Sequence, residues 1–151
     1  MAASDYHFVT HWKVRGRVQD VFELIRDAPR YRQWWGEVYL DVQPTDDGYR
    51  FLTRGRLPYK LRWQSRTTNV TPNESIQVEG RGDLRGQGLW TIRQAGEFVD
   101  IQFDWRVAAD KPLIRTLSFL FKPIFAANHR WAMARGEEGL RREIVRRAAV
   151  S

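Results

Sequence analysis

The chain has 151 residues, no cysteine, a formal charge of +7, and an aromatic complement of seven Trp, eight Phe and five Tyr. Without cysteine it forms no disulfide, thiolate metal site or cysteine nucleophile, and its length suits one domain, residues 1–151, with a sizeable core. The leading MAASDYHFVTHW lacks a basic-then-apolar leader pattern, and no apolar run reaches the roughly 20 residues of a membrane span, so the expectation is a cytoplasmic protein with no membrane span. The positive charge is nearly all arginine, spread along the chain and often set beside carboxylates at helical spacing. A solubilising surface explains it, with a nucleic acid or ribosome partner as the alternative. An indole is costly to bury without a partner for its N–H, so this many Trp residues point to a roomy, aromatic-lined interior.

Tyr6, Phe8, Thr10, Trp12 and Val14 alternate with His7, His11, Lys13 and Arg15, the pattern of a half-buried strand. Helical spacing takes over at Val18–Asp27 and puts Val21, Leu24 and Ile25 together. Pro29 ends that helix and can start a short second one through Arg30–Trp35. From Glu37 to Ala108 the period is two almost throughout. Val38, Leu40 and Val42 form one apolar face, Asp46–Asp47–Gly48 reads as a hairpin turn, and Leu57, Tyr59, Leu61 and Trp63 alternate with polar residues. Pro72–Asn73 fits the centre of a type I turn. Ile76 and Val78 lead into the glycine-rich stretch Gly80–Gly88. Trp90 and Ile92 then face inward, Gly96 marks a turn, and Val99, Ile101, Phe103, Trp105 and Val107 complete the series. One apolar and one polar face per strand means an antiparallel sheet with one wet side. The glycine-rich stretch superficially suggests a phosphate loop. Such loops need a helix to follow, and here a strand follows, so a hairpin or bulged bend is expected.

The last third, from about Leu113 to Val150, reads as one long amphipathic helix, with a kink or two abutting segments at Pro123. From Pro123 to Ala149 it would run about 40 Å, against about 35 Å for a long strand, so one helix can span the sheet. Phe125, His129, Ala132, Met133, Gly136, Leu140 and Ile144 share a side. Arg130, Glu137, Glu138, Arg141 and Arg142 lie opposite, with Glu137–Arg141 and Glu138–Arg142 spaced as i,i+4 pairs on a solvated surface. Gly136 and Gly139 each cost the helix about 1 kcal/mol relative to alanine. Close approach to the sheet, or space for a bound molecule, would compensate. His129, alone and polar on the apolar stripe, is either a hydrogen-bonded core histidine or a ligand contact. Leu117–Phe125 is apolar all round, so it is either buried or a greasy lip at a cavity mouth.

The fold class is α+β: a strand, two short helices, about six more strands completing a curved antiparallel sheet of about seven, and a long C-terminal helix. Two segments carry a family resemblance. Val21–Tyr31, continuing to Trp34–Trp35, and Asn128–Met133, continuing through Gly136–Leu140, resemble bacterial polyketide cyclase/dehydrase-like members of the START-like (SRPBCC) superfamily. That resemblance implies a helix-grip fold around a hydrophobic-ligand cavity. Members include lipid carriers, plant ligand-binding allergens, aromatase/cyclases and ring-hydroxylase domains. The ring-hydroxylase branch needs an iron held by two histidines and a carboxylate, whereas His7 and His11 fall on the solvent face of the first strand and His129 is far off in sequence. No metal and no cofactor is therefore expected.

The leading functional expectation is binding, with transport or sequestration as its extension, of a hydrophobic or aromatic small molecule such as a lipid, quinone or polyketide between helix and sheet. Tyr59, Leu61, Trp63, Trp90, Phe103 and Trp105 would form the sheet wall, and Phe125, His129, Ala132, Met133 and Gly136 the helix wall. No catalytic residue is assigned. One alternative is a polyketide cyclase, aromatase or dehydratase in which orientation does most of the work and His129 and Tyr59 move protons. Another is a ribosome- or membrane-associated interaction module, since some START-like proteins act on ribosomes or assist quinone-dependent respiration.

Overall fold

The alternating segments become strands in a computed structural model that describes residues 5–55, 60–109 and 118–150. They are β1 (Asp5–Arg15), β2 (Tyr39–Pro44), β3 (Tyr49–Thr53), β4 (Leu61–Thr71), β5 (Ser75–Gly82), β6 (Leu84–Ala95) and β7 (Phe98–Ala109). Every pairing is antiparallel, and the order across the sheet is β1-β7-β6-β5-β4-β3-β2. The first two strands are thus the two edges. Helix α1 (Val18–Arg26), a 3₁₀ turn (Ala28–Arg30) and α2 (Tyr31–Trp34) carry the chain from one edge to the other. The remaining strands meander back until β7 pairs with β1. Helix α3 (Ser118–Val150) then packs against β1, α1 and α2. This is the helix-grip arrangement.

Inward and outward residues alternate on β1 as expected: Tyr6, Trp12 and Val14 are buried, while His7, His11, Lys13 and Arg15 are exposed. In α1 the apolar face Val21, Phe22, Leu24 and Ile25 is buried. The Tyr31 hydroxyl donates to the Ile25 carbonyl and so satisfies one of the orphan acceptors at the end of α1. Trp12, Trp34, Trp35 and Leu140 belong to one core cluster, and Tyr6, Leu61, Leu84, Trp105 and Phe125 to another. Trp63 and Phe103, only partly buried, pack against both. The site lies around these two rings.

Three local expectations are corrected. A bulge between Tyr39 and Asp41 shifts the β2 register, so Tyr39 opposite Thr53 and Val42 opposite Phe51 face the core, and Leu40 drops out of the expected Val38–Leu40–Val42 face. Asn73 has φ 62 with Glu74 N–H bonded to the Thr71 carbonyl, the left-handed third residue of a type II turn rather than type I. Helix α3 runs uninterrupted through Pro123, not as two abutting segments. Its expected start at Leu113–Leu117, like Leu57 and Tyr59 in the expected strand, lies outside the described residues. Of the apolar stretch ahead of the stripe, Phe125 is buried and Ile124 is exposed.

The charged face of α3 does more than meet water. Glu137 accepts a hydrogen bond from the Lys13 backbone N–H at 2.9 Å, and Arg141 donates to the Lys13 carbonyl at 2.9 Å while pairing with Glu137 at 3.2 Å. Lys13 sits on an edge strand whose outer N–H and C=O would otherwise be unpaired, so the ion pair caps the edge. Glu138 bonds Arg135 at 2.7 Å, where Arg142 had been expected.

Candidate functional site

The glycine-rich stretch is a hairpin between β5 and β6, with Gly82 at φ 103 in its turn. Its other glycines clear a floor for aromatic rings. A Cβ at Gly88 would lie 2.8 Å from the Phe103 ring and 2.9 Å from Trp105, and one at Gly80 would lie 3.1 Å from Trp105. The rings stack in a row, Trp90 on Phe103 at 4.3 Å and Phe103 on Trp105 at 5.6 Å, with Trp63 at 5.9 Å from Trp105. Offset aromatic contacts at such distances hold each ring in place. The result is a rigid apolar wall facing α3.

Between this wall and the helix is a cavity of about 130 Å³. It is about ten times what one water needs, yet below the roughly 300–1,000 Å³ of pockets for drug-sized ligands. Among the expected residues, Leu61, Trp63, Trp90, Phe103 and Trp105 line it from the sheet, and Phe125, His129, Ala132 and Met133 from α3. Tyr59 lies outside the described residues. Gly136 does not join them, because a Cβ there would come within 2.6 Å of Trp35 and 2.8 Å of Trp12. At Gly139 a Cβ would fall 1.6 Å from the Trp34 carbonyl oxygen. Both glycines therefore serve close approach of the helix, and the alternative of space left for a ligand is set aside.

The cavity reaches further toward the helices than sequence reasoning placed it. Tyr31, Trp35, Tyr39, Tyr49 and Phe51 also contribute, together with Arg26 at the end of α1 and Arg54 just beyond β3. The alternation Tyr49–Phe51–Thr53 was a readable signal. Which strands stand opposite α2 was not, since it depends on the order of pairing. Polar groups are sparse: Thr53 accepts from the Trp63 indole at 3.1 Å, Trp35 donates to the Ala132 carbonyl at 2.9 Å, and Arg54 Nε donates to the Glu37 carbonyl at 3.1 Å. Among the described residues no carboxylate lines the space.

His129 combines both roles foreseen for it. Its ring stacks on Phe8 at 4.0 Å and its Nε2 lies 3.4 Å from the Thr10 hydroxyl, while it also faces the cavity. Burial, with the nearby Arg130 charge, lowers its pKa from 6.5 to about 4, so the imidazole is neutral at pH 7. Burial pushes Tyr31 and Tyr39 well above the ordinary tyrosine value, so both remain protonated donors. His7, by contrast, pairs with Asp104 at 3.0 Å on the outer face of the sheet. The histidines of β1 and His129 thus sit on opposite faces.

Among solved structures, the chain is similar to TTHA0849 from Thermus thermophilus, at 16% identity and TM-score 0.78, covering 97% of this chain and 100% of that one. It is also similar to the Zhui aromatase/cyclase from Streptomyces sp. R1128, at 14% identity and TM-score 0.76, covering 95% and 96% of the two chains. A third likeness is to the di-domain aromatase/cyclase StfQ from the steffimycin biosynthetic pathway, at 14% identity and TM-score 0.64, where 97% of this chain matches 53% of that one. These likenesses carry the fold. No curated protein matches the chain significantly by sequence. The family model described as polyketide cyclase / dehydrase and lipid transport matches residues 14–134. With its seven-stranded antiparallel sheet closed by one long helix, the chain belongs to that family, within the START-like superfamily.

Proposed function

We propose that the protein binds a compact apolar or aromatic molecule, of one or two rings, between α3 and the sheet. The observation that carries this reading is the aromatic-walled cavity of about 130 Å³ with no carboxylate among its described lining residues. Binding comes from apolar burial at about 25 cal/mol per Å², and the sparse hydroxyls, the two arginines and His129 orient the guest. A long lipid or an extended polyketide would need Trp63, Phe103 or Trp105 to move. The surface charge supports a solvated exterior rather than a polyanion track, because arginines are interleaved with carboxylates, as in Arg66–Glu79, Arg93–Asp100 and Arg15–Glu97.

The family supports a second reading, cyclisation of a reactive chain held in the cavity. General acid–base catalysis works best with a pKa near the operating pH, and His129 at about 4 is a weak base. Binding is therefore the reading preferred. Native mass spectrometry of freshly purified protein, followed by calorimetric titration with ligands of one, two and four rings, tests it. Saturable binding that weakens with ring number supports the compact-ligand reading. Binding of only the largest ligands, with turnover that His129→Phe abolishes, would replace it with the cyclase reading.

A further inference from the structure

A second cleft lies where α2 runs toward β2 beneath the middle of α3. Its volume is about 220 Å³, and Gln33, Trp34, Glu37, Arg135 and Arg142 contribute to its walls. Trp35 stands between it and the aromatic cavity and touches both. The helices are pressed together here by Gly139, where a Cβ would fall 1.6 Å from the Trp34 carbonyl oxygen. That contact leaves Trp34 only 4% exposed. It also strands two donors: among the described residues neither the Trp34 indole N–H nor the Arg135 Nε–H has an acceptor. Arg135 gives its Nη2 to Glu138 at 2.7 Å, and the Nε is left over.

A buried N–H without an acceptor costs free energy comparable with a lost hydrogen bond, so two on the walls of one small cleft require a common explanation. Arg142 follows Arg135 by two helical turns and adds a second guanidinium to the same side of α3. Gln33 adds an amide. Glu37 is the carboxylate on this wall, and it is exposed. The cleft is therefore rich in donors and, unlike the aromatic cavity, poor in apolar surface.

We propose that this cleft binds a small oxyanion, a phosphate or carboxylate group, held by the Trp34 indole N–H, the Arg135 Nε–H and the Arg142 guanidinium. An oxyanion has enough lone pairs to satisfy both orphan donors at once, and its charge answers the two guanidinium groups, which a water does not do.

The test is a titration of the full chain at pH 7 with inorganic phosphate and, separately, with acetate, ionic strength being held constant with sodium chloride. Indole N–H resonances are followed by NMR, with Trp34 assigned by the peak lost in Trp34→Phe or by its contacts to α3. A saturable shift of the Trp34 indole is expected, and Arg142→Gln should weaken it about tenfold, the worth of one charge-assisted hydrogen bond. Arg142 is exposed, so its replacement leaves the fold intact. Saturation by phosphate alone identifies a phosphate group, and saturation by both anions identifies a general oxyanion site. If neither anion gives a saturable shift, or if Arg142→Gln binds as tightly as the parent, the donors are met by water and the proposal falls.

Discussion

Replacing Gly139 with alanine separates two opposed forces. Helix propensity alone favours the change by about 1 kcal/mol, because glycine loses more backbone entropy than alanine. The new Cβ, however, would sit 1.6 Å from the Trp34 carbonyl oxygen and 2.8 Å from its carbon. Those atoms are backbone of α2 and cannot rotate away. Relief requires α3 to rise from α2 by more than an ångström, loosening the cluster of Trp34, Trp35 and Leu140. Overpacking of a formed core costs typically about 1–3 kcal/mol, and a clash against backbone belongs at the upper end. The expected net loss is about 2 kcal/mol, read as a lower urea midpoint with an unchanged slope. Gly96, where a Cβ would meet nothing within 4 Å, is the control for contact effects, though its φ of 64 disfavours alanine on its own account. Stability equal to or above the parent for Gly139→Ala would refute the close-approach argument.

Three further outcomes follow from the same geometry. Because His129 is held at about 4 against 6.5 when unfolded, the unfolded chain takes up the proton first. Stability is full above pH 6.5 and falls by at most about 3 kcal/mol as pH drops to 4, and His129→Gln should flatten that slope in thermal melts. Glu137→Ala removes the acceptor for the Lys13 N–H, and should cost about 1 kcal/mol while selectively speeding hydrogen exchange at Lys13. Gly88→Val would drive a side chain into Phe103 and Trp105, lowering stability by about 1–3 kcal/mol and shifting the indole signals of Trp90 and Trp105 in an NMR spectrum.

The sheet was legible because period-two alternation from Tyr6 to Val14 and from Val99 to Val107 survives intact in β1 and β7. The bulge after Tyr39 was not legible, since one inserted residue looks like ordinary alternation until the partner strand is known. Similarly, the α3 stripe named Phe125, His129, Ala132 and Met133, but the same stripe carries Gly136 past the cavity and onto Trp35. A helical projection gives the face a residue occupies and not what stands opposite. Glu137 and Arg141 read as solvated for the same reason, although β1 offers them its Lys13 peptide groups. The cavity's size was beyond the sequence altogether, because it depends on how far Trp63, Phe103 and Trp105 fill the space that Gly80 and Gly88 leave open.

The most direct measurement of the central claim is an NMR titration with a single-ring apolar probe, toluene or phenol. The account predicts saturable shifts centred on the indole signals of Trp63 and Trp90 and the methyl of Met133, which line the cavity from opposite sides. Shifts confined to the outer face of the sheet, or none up to the probe's solubility, would contradict it.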